Sequence, residues 1–236
     1  MKLIVSDEIK RKFTDLRIAI LVASNIDNRG IDENLQSLKR IAADKMFTDY
    51  SYERLNELNE IEAWRNAYRA FGVKPKDSRP TAEAFLRRLI KGETFPTISK
   101  AVDSYLLVET EYYLPVGGYD LSKISGDVHL RFSDGDERFQ PIGSSAEEAT
   151  RPGEVIYADD ERVLTRKWNF RDCDFCKVTD SSTSIALFTE APSADIDTLI
   201  LEKSIARMAE LITTFCGGTA RTFMLDTSES LSIDIH

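Results

Sequence analysis

The stretch Val128-His129-Leu130-Arg131-Phe132-Ser133-Asp134-Gly135-Asp136 marks the point where the hydrophobic period of the chain changes. Before it, apolar residues recur at helical spacings of three and four. Within it they alternate, at Val128, Leu130 and Phe132, as in a half-buried strand. The Asp-Gly pair that follows is a strong hairpin signal. The stretch therefore predicts an α+β protein, with helices first and a sheet in the middle.

Two strands and four helices are predicted before this stretch. The strands are residues 3–5 and 16–23, and the second is apolar enough to be buried on both faces. Helices are predicted from about Asp32, over 61–71, from Pro80 to Lys91, and in a run where Ile98, Val102 and Tyr105 share one face. Residues 114–119, with one proline and two glycines, are predicted to end the last of these helices.

A second hairpin and a long helix are predicted in the C-terminal half. Residues 155–158 and 163–165 flank an acidic turn, and residues 184–189 form another strand. Ser193 is expected to cap the longest helix, which Gly217-Gly218 terminates. Closing strands are predicted at 220–226 and 231–235. We therefore expect N-terminal helices, a central mostly antiparallel sheet and a long C-terminal helix packed on it.

Composition and charge limit the classes of protein that the chain can be. With 236 residues and 42% apolar composition, it can bury a full core, and we expect one large domain. No apolar run approaches the roughly 20 residues of a membrane span, and the N-terminus turns acidic too early for a signal peptide. A cytoplasmic protein with no membrane contact is expected. Its three cysteines are expected to be free thiols.

Basic residues concentrate in one segment of an otherwise acidic chain. The formal net charge of -9 argues against indiscriminate binding of nucleic acid, because such binding depends on Lys and Arg at phosphates. Between Arg65 and Lys91, however, eight basic residues stand against two acidic ones, which is typical of a local polyanion site. The predicted RNA-binding residues are Lys74, Lys76, Arg79, Arg87, Arg88 and Lys91. Solvated helix faces are the alternative interpretation of these charges.

The segment Lys167-Trp168-Asn169-Phe170-Arg171-Asp172-Cys173-Asp174-Phe175-Cys176-Lys177 has the highest density of reactive and binding groups. Its Cys-x-x-Cys pair suggests zinc or redox chemistry, but a structural zinc needs four ligands. The other candidates, Cys216, His129 and His236, have no finger spacing. The pair also precedes strand-like sequence instead of opening a helix, as a thioredoxin motif does. We therefore predict two ordinary thiols, no metal and no cofactor.

The residues of the chain also argue against nucleophilic catalysis and against a phosphate-binding loop. A catalytic serine or cysteine needs a histidine within hydrogen-bond reach. His129 lies in a predicted strand and His236 is the last residue, so we expect both to be structural or disordered. Val116-Gly117-Gly118-Tyr119 matches neither the P-loop nor the dinucleotide fingerprint.

What remains is a site made of polar groups near Asn169, Arg171, Asp172 and Asp174. Such groups can position water to hydrolyse an activated bond, because orientation and electrostatics supply most of the rate in such reactions. They can equally form a plain binding pocket. In a purely structural alternative, the two aromatic residues of the segment belong to the core and its arginine pairs with an aspartate at the surface.

Four runs, in order along the chain, carry a resemblance to a known family. They are Arg79-Pro80-Thr81-Ala82-Glu83-Ala84-Phe85-Leu86-Arg87-Arg88, Leu114-Pro115-Val116-Gly117-Gly118-Tyr119-Asp120-Leu121-Ser122-Lys123-Ile124, Glu154-Val155-Ile156-Tyr157-Ala158-Asp159 and Trp168-Asn169-Phe170-Arg171-Asp172. From about residue 79 to 191 the chain resembles the editing module of the bacterial phenylalanyl-tRNA synthetase beta subunit, the B-three/B-four domain, in a freestanding form. We expect one such domain over 1–236, with a strand-and-helix lead-in over 1–75 and a core over 79–226.

The resemblance implies an α+β domain that binds the 3′ end of an aminoacylated tRNA and hydrolyses wrongly attached amino acids. On this basis we assign catalytic roles to Asn169, which orients water or the carbonyl, and to Asp172, which holds the ammonium of the amino acid. The predicted substrate-binding residues are Trp168, Arg171, Tyr119 and Asp120, with Arg171 at a terminal phosphate.

Two departures from the synthetase pattern leave the reaction open. Gly117 stands where the synthetase has a histidine associated with editing, and the Asn-Phe-Arg-Asp run replaces a glycine-rich segment that bears a site glutamate. The chain is therefore predicted to bind tRNA and to deacylate mischarged tRNA in trans. The alternatives are a non-catalytic module that binds RNA or a small ligand, and a protein-interaction domain with a vestigial pocket.

Overall fold

The computed structural model describes residues 1–235, which contain seven α-helices and twelve β-strands. The helices are α1 (Asp7–Lys12), α2 (Glu33–Asp49), α3 (Tyr52–Asn56), α4 (Asn59–Ala70), α5 (Thr81–Ile90), α6 (Lys100–Tyr112) and α7 (Thr198–Cys216). The strands are β1 (Lys2–Val5), β2 (Arg17–Ser24), β3 (Val116–Asp120), β4 (Val128–Phe132), β5 (Arg138–Phe139), β6 (Glu148–Ala149), β7 (Val155–Ala158), β8 (Val163–Arg166), β9 (Arg171–Asp172), β10 (Ser184–Ala191), β11 (Thr219–Asp226) and β12 (Ser232–Asp234). The predicted α+β class is confirmed.

The strands form two main sheets, where the sequence predicted one. A four-stranded antiparallel sheet has the order β11-β2-β10-β3, and a six-stranded sheet has the order β12-β1-β4-β7-β8-β9. Within the larger sheet β1 and β4 are parallel and the other pairs are antiparallel. A separate short ribbon joins β5 to β6. The mostly antiparallel character is therefore confirmed, although the strands divide between two layers.

Strand β2 is central to the smaller sheet because its sequence is continuously apolar. Residues 18–23 are all buried, as both faces of such a strand must be. Its two neighbours are β10 and β11, and helix α7 packs across all three. The predicted long C-terminal helix on the sheet is therefore confirmed. The first 75 residues thus supply a central strand of the fold.

Residues 114–119 were predicted to end the preceding helix, and α6 does end at Tyr112. The strand that follows, β3 at Val116–Asp120, was not predicted. It pairs with β10 at the edge of the smaller sheet. Gly118 suits this position, because a Cβ there would lie 2.6 Å from Leu187 Cδ2, a side-chain atom of the neighbouring strand. Glycine within a strand leaves room for such a close neighbour.

The hairpin predicted at Asp134-Gly135 is wrong. Gly135 and Asp136 have φ values of 94° and 60° and do form a turn. The strand that follows, β5, pairs with β6 and not with β4. Both edges of β4 are already occupied, by β1 and by β7, so no edge remains for the returning chain.

Two helix boundaries differ from prediction. Helix α7 begins at Thr198, and its N-cap is Asp197, whose carboxylate accepts from the Leu199 amide at 2.9 Å, and not Ser193. Helix α6 begins at Lys100, so Ile98 lies before it and is 59% exposed. Within residues 1–235, none of the helices has the length and apolarity needed to cross a membrane.

Candidate functional site

A tight turn between β8 and β9 shapes the segment that carries the predicted site. Lys167 and Trp168 both have left-handed backbones, with φ of 49° and 68°. This conformation costs about 1–3 kcal/mol per non-glycine residue and persists only where the surroundings impose it. Here the Trp168 amide donates to Val155 O at 2.7 Å. The Trp168 indole, fully buried, packs edge-on against Trp64 at 5.0 Å between ring centroids. Contacts of Trp168 on the core side therefore hold the turn in this conformation.

In front of this turn lies a cavity of about 140 Å³. It is much smaller than the roughly 300–1,000 Å³ of typical small-molecule pockets. Its polar lining comes from α5 and α6, from β3, β7, β8, β9 and β10, and from the turn itself; the residues are Thr81, Tyr105, Glu109, Tyr119, Tyr157, Thr165, Asn169, Arg171, Asp172 and Glu190. A space of this size admits an aminoacyl-sized group but not a nucleoside.

Asp172 is one of three carboxyl groups on the cavity lining. Its Oδ1 accepts a hydrogen bond from Thr165 Oγ1 at 2.6 Å, and the Tyr119 hydroxyl lies 2.6 Å from the same threonine oxygen. Since Thr165 uses its proton on Asp172, Tyr119 must donate to Thr165. Protein surrounds the carboxyl, although the cavity leaves it some accessible surface. This burial raises the pKa of Asp172 to about 6, against the opposing effect of the Thr165 hydrogen bond.

Two further carboxyl groups, which sequence reasoning missed, face the same space. Glu190 Oε1 accepts from the Tyr157 hydroxyl at 2.6 Å, and burial raises the pKa of Glu190 to about 7. Glu109 is 1% exposed, and neither of its carboxyl oxygens has a hydrogen-bond partner within the described chain. Burial, and then the charge of Asp172, raise the pKa of Glu109 well above its usual value. Among residues 1–235, the only basic side chain on the lining is Arg171, which is 55% exposed at the mouth.

Asn169 provides a hydrogen-bond donor to this acidic space. Its Oδ1 accepts from the Tyr68 hydroxyl at 2.7 Å, which leaves the Nδ2 group available. Nδ2 is buried and has no partner among residues 1–235. Buried polar groups are nearly always hydrogen-bonded in folded proteins, so an unpaired donor on a cavity wall indicates a place for a polar ligand or water.

The predicted site residues divide between this cavity and other places. Tyr119, Asn169, Arg171 and Asp172 all line it, and Trp168 forms part of its wall from the core side. Asp120 does not line it. The Asp120 carboxylate instead accepts from Ser182 Oγ at 2.6 Å and from the Ser122 amide at 2.9 Å, where it caps a short 3-10 helix at Leu121–Lys123. Asp174 pairs with Lys177 at 2.7 Å outside the cavity.

A separate basic groove of about 560 Å³ lies between the end of α4 and the start of α5. Of the predicted RNA-binding residues, Lys74, Lys76, Arg79 and Arg87 line it. Arg65 and Arg69, which the sequence analysis did not assign to RNA, join them. Arg88 and Lys91 do not line the groove, and Arg88 pairs with Glu93 at 2.7 Å. The basic segment therefore contributes to two surfaces, of which one is concave.

Glu83 organises the arginines of this groove. Arg65 donates to both of its oxygens at 2.8 Å, and Arg87 Nε donates at 2.9 Å. Burial on its own raises the pKa of Glu83, but these hydrogen bonds outweigh burial and hold the pKa below its ordinary value. Lys74 and Lys76 are exposed and form no salt bridge within the described residues. One carboxylate thus faces six basic side chains, and the groove is electropositive.

The groove and the cavity lie on either side of the first turn of α5. Arg79 and Glu83 face the groove, whereas Thr81, between them in sequence, lines the cavity. Lys167, in the site turn, donates from Nζ to Ser78 Oγ at 2.8 Å and so ties the turn to this same stretch. An electropositive surface and an acidic cavity are therefore neighbours.

The three cysteines and His129 lie outside the cavity. Cys173 and Cys176 are buried free thiols, and the hydrogen bond to Cys173, followed by burial, raises the pKa of the Cys176 thiol. It is therefore a poor nucleophile. His129 lies on β4, 3.3 Å from Asp160, and His236 is outside the described residues. Across residues 1–235, three or more His, Cys, Asp or Glu side chains nowhere gather as a metal site requires.

Comparison with known proteins identifies the family. Residues 63–217, well over half of the chain, match the family model described as the B3/4 domain. The chain belongs to the B3/4 domain family. It is homologous to the phenylalanine–tRNA ligase beta subunit of Shewanella oneidensis, with 24% identity over 170 residues that cover 63% of this chain and 21% of that subunit. The chain thus spans about a fifth of the length of this curated relative.

A solved structure is also similar to this B3/4 chain. It is an N-terminal fragment of the phenylalanyl-tRNA synthetase beta subunit from Pyrococcus horikoshii, with a TM-score of 0.47 and 14% sequence identity. The match covers 95% of this chain and 53% of that fragment.

Proposed function

We propose that this B3/4 protein binds the 3′ end of an aminoacyl-tRNA and hydrolyses the ester bond of a wrongly attached amino acid in trans. The observation that carries the proposal is the position of the acidic cavity beside the electropositive groove, with the first turn of α5 between them. An aminoacyl-tRNA has the same two parts, because a cationic amino acid is joined to a polyanionic strand. The family membership supports the same substrate class.

The cavity side chains suit the aminoacyl end. Asp172, largely ionised at neutral pH with a pKa of about 6, pairs with the α-ammonium group. Asn169 Nδ2, the unpaired donor, orients the ester carbonyl or the attacking water. Because the ester is already activated, positioning and electrostatics can supply the rate without a covalent intermediate.

The mouth and the groove suit the nucleic acid. Arg171, 55% exposed beside the cavity, is placed for the terminal phosphate. Lys74 and Lys76 in the groove contact phosphates further along the acceptor strand, which positions the tRNA without reading its sequence. The remaining surface of a chain with net charge -9 repels RNA, so binding is confined to this face.

A panel of misacylated tRNAs tests the proposal. Wild-type protein should accelerate ester loss for at least one amino acid, and Asp172→Asn and Asn169→Ala should reduce that rate at least tenfold. Asp174→Asn serves as the matched control, because Asp174 pairs with Lys177 away from the cavity. Absence of acceleration for every amino acid would refute the hydrolase.

A non-catalytic binding module is the second candidate. It is favoured by the cavity lining, where the hydroxyl of Thr165 is already committed to Asp172 and histidine and cysteine are missing among the described lining residues. In that case tRNA or its aminoacyl end binds saturably, with a steep salt dependence and no turnover.

A further inference from the structure

Building on the proposed function, we propose that the cavity selects an aminoacyl group whose side chain carries a second ammonium group, and that Glu109 is the residue that recognises it. The ligand class is a compact diamino acid. Asp172 holds its α-ammonium, and Glu109 holds the ammonium of the side chain.

The carboxyl group of Glu109 is buried and has no hydrogen-bond partner among residues 1–235. Glu109 lies on α6 and is 1% exposed. Its sequence neighbours Leu107 and Val108 are fully buried. Burial of an unpartnered carboxyl is unfavourable, and most such groups in folded proteins have partners. A ligand that donates to Glu109 supplies the missing partner.

Two donors on the same wall are independent signs of a ligand. Asn169 Nδ2 and Trp168 Nε1 belong to residues that are 8% and 0% exposed, line the cavity, and have no hydrogen-bond partner among residues 1–235. Neither belongs to the acidic cluster. Together they can donate hydrogen bonds to an acceptor on a ligand, such as an ester carbonyl. The carboxyl groups of the cavity can accept hydrogen bonds from the donors of the same ligand.

The pairing of the carboxyl groups then favours a ligand with two ammonium groups. Three carboxyl groups line the cavity, and among residues 1–235 the only basic lining side chain, Arg171, is 55% exposed at its mouth. The α-ammonium neutralises Asp172. Glu190 already accepts from Tyr157, so Glu109 is the carboxyl that remains without a counterpart. An alkyl side chain would leave it unpaired, whereas a second ammonium would form a charge-assisted hydrogen bond.

Size restricts the side chain to a short one. The cavity holds about 140 Å³, well below the roughly 300 Å³ at the lower end of common ligand pockets. A two-carbon to four-carbon amine fits this limit better than a guanidinium or an aromatic ring.

Binding of a ligand with a second ammonium group should release a proton, which can be measured. The titratable and charged groups that line the cavity with Glu109 are Tyr105 on α6, Tyr119 on β3, Tyr157 on β7, Arg171 and Asp172 on β9, and Glu190 on β10. Burial and the charge of Asp172 both raise the pKa of Glu109 and so favour its protonated form in the empty cavity. A second ammonium stabilises the carboxylate, so binding should be accompanied by proton release from Glu109.

Calorimetry with amino acid amides tests this selection on the full chain. The amides of 2,4-diaminobutyrate, homoserine and norvaline have side chains of nearly equal size that end in an ammonium, a hydroxyl and a methyl group. We expect the diamino amide to bind at least tenfold more tightly than the other two. Repeating the titration in buffers of different ionisation enthalpy should show the released proton.

Glu109→Gln keeps the size of the side chain and should remove both the tenfold preference and the proton release. Glu111→Gln, on the same helix but paired with Arg207 at 3.1 Å on the surface, should change neither. Equal binding of the homoserine amide, or unchanged selectivity in Glu109→Gln with native unfolding temperature, would overturn the inference.

Transfer RNAs esterified with the same three amino acids separate this inference from the proposed function. If tRNA carrying another amino acid is deacylated while the diamino form is not, the inference fails and the hydrolase stands. If the diamino amide binds as expected but no aminoacyl-tRNA is hydrolysed, the selection by Glu109 stands and the hydrolase fails.

Discussion

The Tyr68 hydroxyl donates to Asn169 Oδ1 at 2.7 Å across 101 residues of sequence. Tyr68 lies on α4 and is fully buried. This contact decides which end of the Asn169 amide is free, because it occupies the oxygen and leaves Nδ2 toward the cavity. A helix within the first 75 residues thus positions a predicted catalytic group.

Tyr68→Phe should therefore lower the rate of deacylation more than it lowers tRNA affinity. The unfolding free energy should fall by about 1 kcal/mol, the typical net value of one hydrogen bond. Single-turnover rates and tRNA binding curves measure the two effects separately. Tyr112→Phe, on the partly exposed end of α6, is the matched control. Equal activity of Tyr68→Phe and wild type would show that the tyrosine has no positioning role.

Asp172 predicts a rise of activity with pH. Its pKa of about 6 means that the carboxylate needed for the α-ammonium forms as the pH increases through that value. The rate at subsaturating tRNA should increase about tenfold per pH unit below the pKa and level off above it. Measurements should span the pH range from about 5 to about 8, with buffer ionic strength held constant. A flat profile across this range would exclude Asp172 as the titrating group.

The same carboxyl groups predict a loss of stability as the pH rises. Asp172 and Glu190 have folded-state pKa values above those of the unfolded chain, so each binds more protons in the folded state at a pH between its unfolded and folded pKa values. The contribution of these two groups to the free energy of unfolding must therefore decrease from about pH 4 to about pH 7. Glu190→Gln and Asp172→Asn should each be more stable than wild type at pH 8, relative to pH 4, by about 1–3 kcal/mol. Urea denaturation at both pH values measures the difference.

Asp174→Asn provides the contrast for that experiment. The hydrogen bond from Lys177 lowers the pKa of Asp174, so this carboxylate stabilises the fold above its unfolded pKa and loses that contribution as the pH falls. Its removal should not produce the gain expected at pH 8 for the two cavity variants.

The division of the basic residues predicts which charges matter for RNA. Reversal of Lys74 and Lys76 to Glu should weaken tRNA binding and lower the magnitude of the salt slope by about 2, that is, about 1 per phosphate contact. Reversal of Arg88 and Lys91, which lie outside the groove, changes the net charge by the same amount and should have a smaller effect. Equal losses for the two pairs would mean that long-range charge, and not the groove, governs binding.

The two glycines of β3 predict opposite outcomes for one substitution. In Gly118→Ala the new Cβ would lie 2.6 Å from Leu187 Cδ2, a buried side chain, so we expect a loss of about 1–3 kcal/mol from overpacking. In Gly117→Ala the atom nearest to the new Cβ, outside the adjacent residues, is Asp172 Oδ1 at 3.9 Å, an ordinary van der Waals distance. Stability should therefore be retained, while the space beside the carboxylate narrows and activity falls. Thermal unfolding and deacylation rates of both variants test this.

Hydrophobic periodicity predicted most of the fold, and the residue content of 167–177 together with the family resemblance predicted part of the site. The alternation at Val128, Leu130 and Phe132 and the helical stripes placed most elements, because local pattern decides burial. Periodicity did not reveal β3, where the glycines mark a helix end but also leave room for Leu187 of the paired strand. The hairpin prediction failed at the Asp134-Gly135 turn, since strand pairing depends on which sheet edges are free.

Two acidic residues of the cavity, Glu109 and Glu190, were not predicted, although the sequence contains a signal for them. Glu109 follows Leu107 and Val108, and Glu190 follows Phe188 and Thr189, each within an element that is otherwise buried. An isolated carboxyl in such a run must find a partner or face a cavity. Which of the two holds depends on contacts between distant elements, and these follow only from the tertiary structure.

The packing of Trp168 against Trp64 also provides an optical reporter. These are the two tryptophans of the chain, and their rings touch behind the cavity at 5.0 Å between centroids. All intrinsic indole fluorescence of the protein therefore originates from one pair beside the proposed binding site. Occupation of the cavity should change the emission of the unlabelled protein, which allows ligand titrations and stopped-flow kinetics without an added dye.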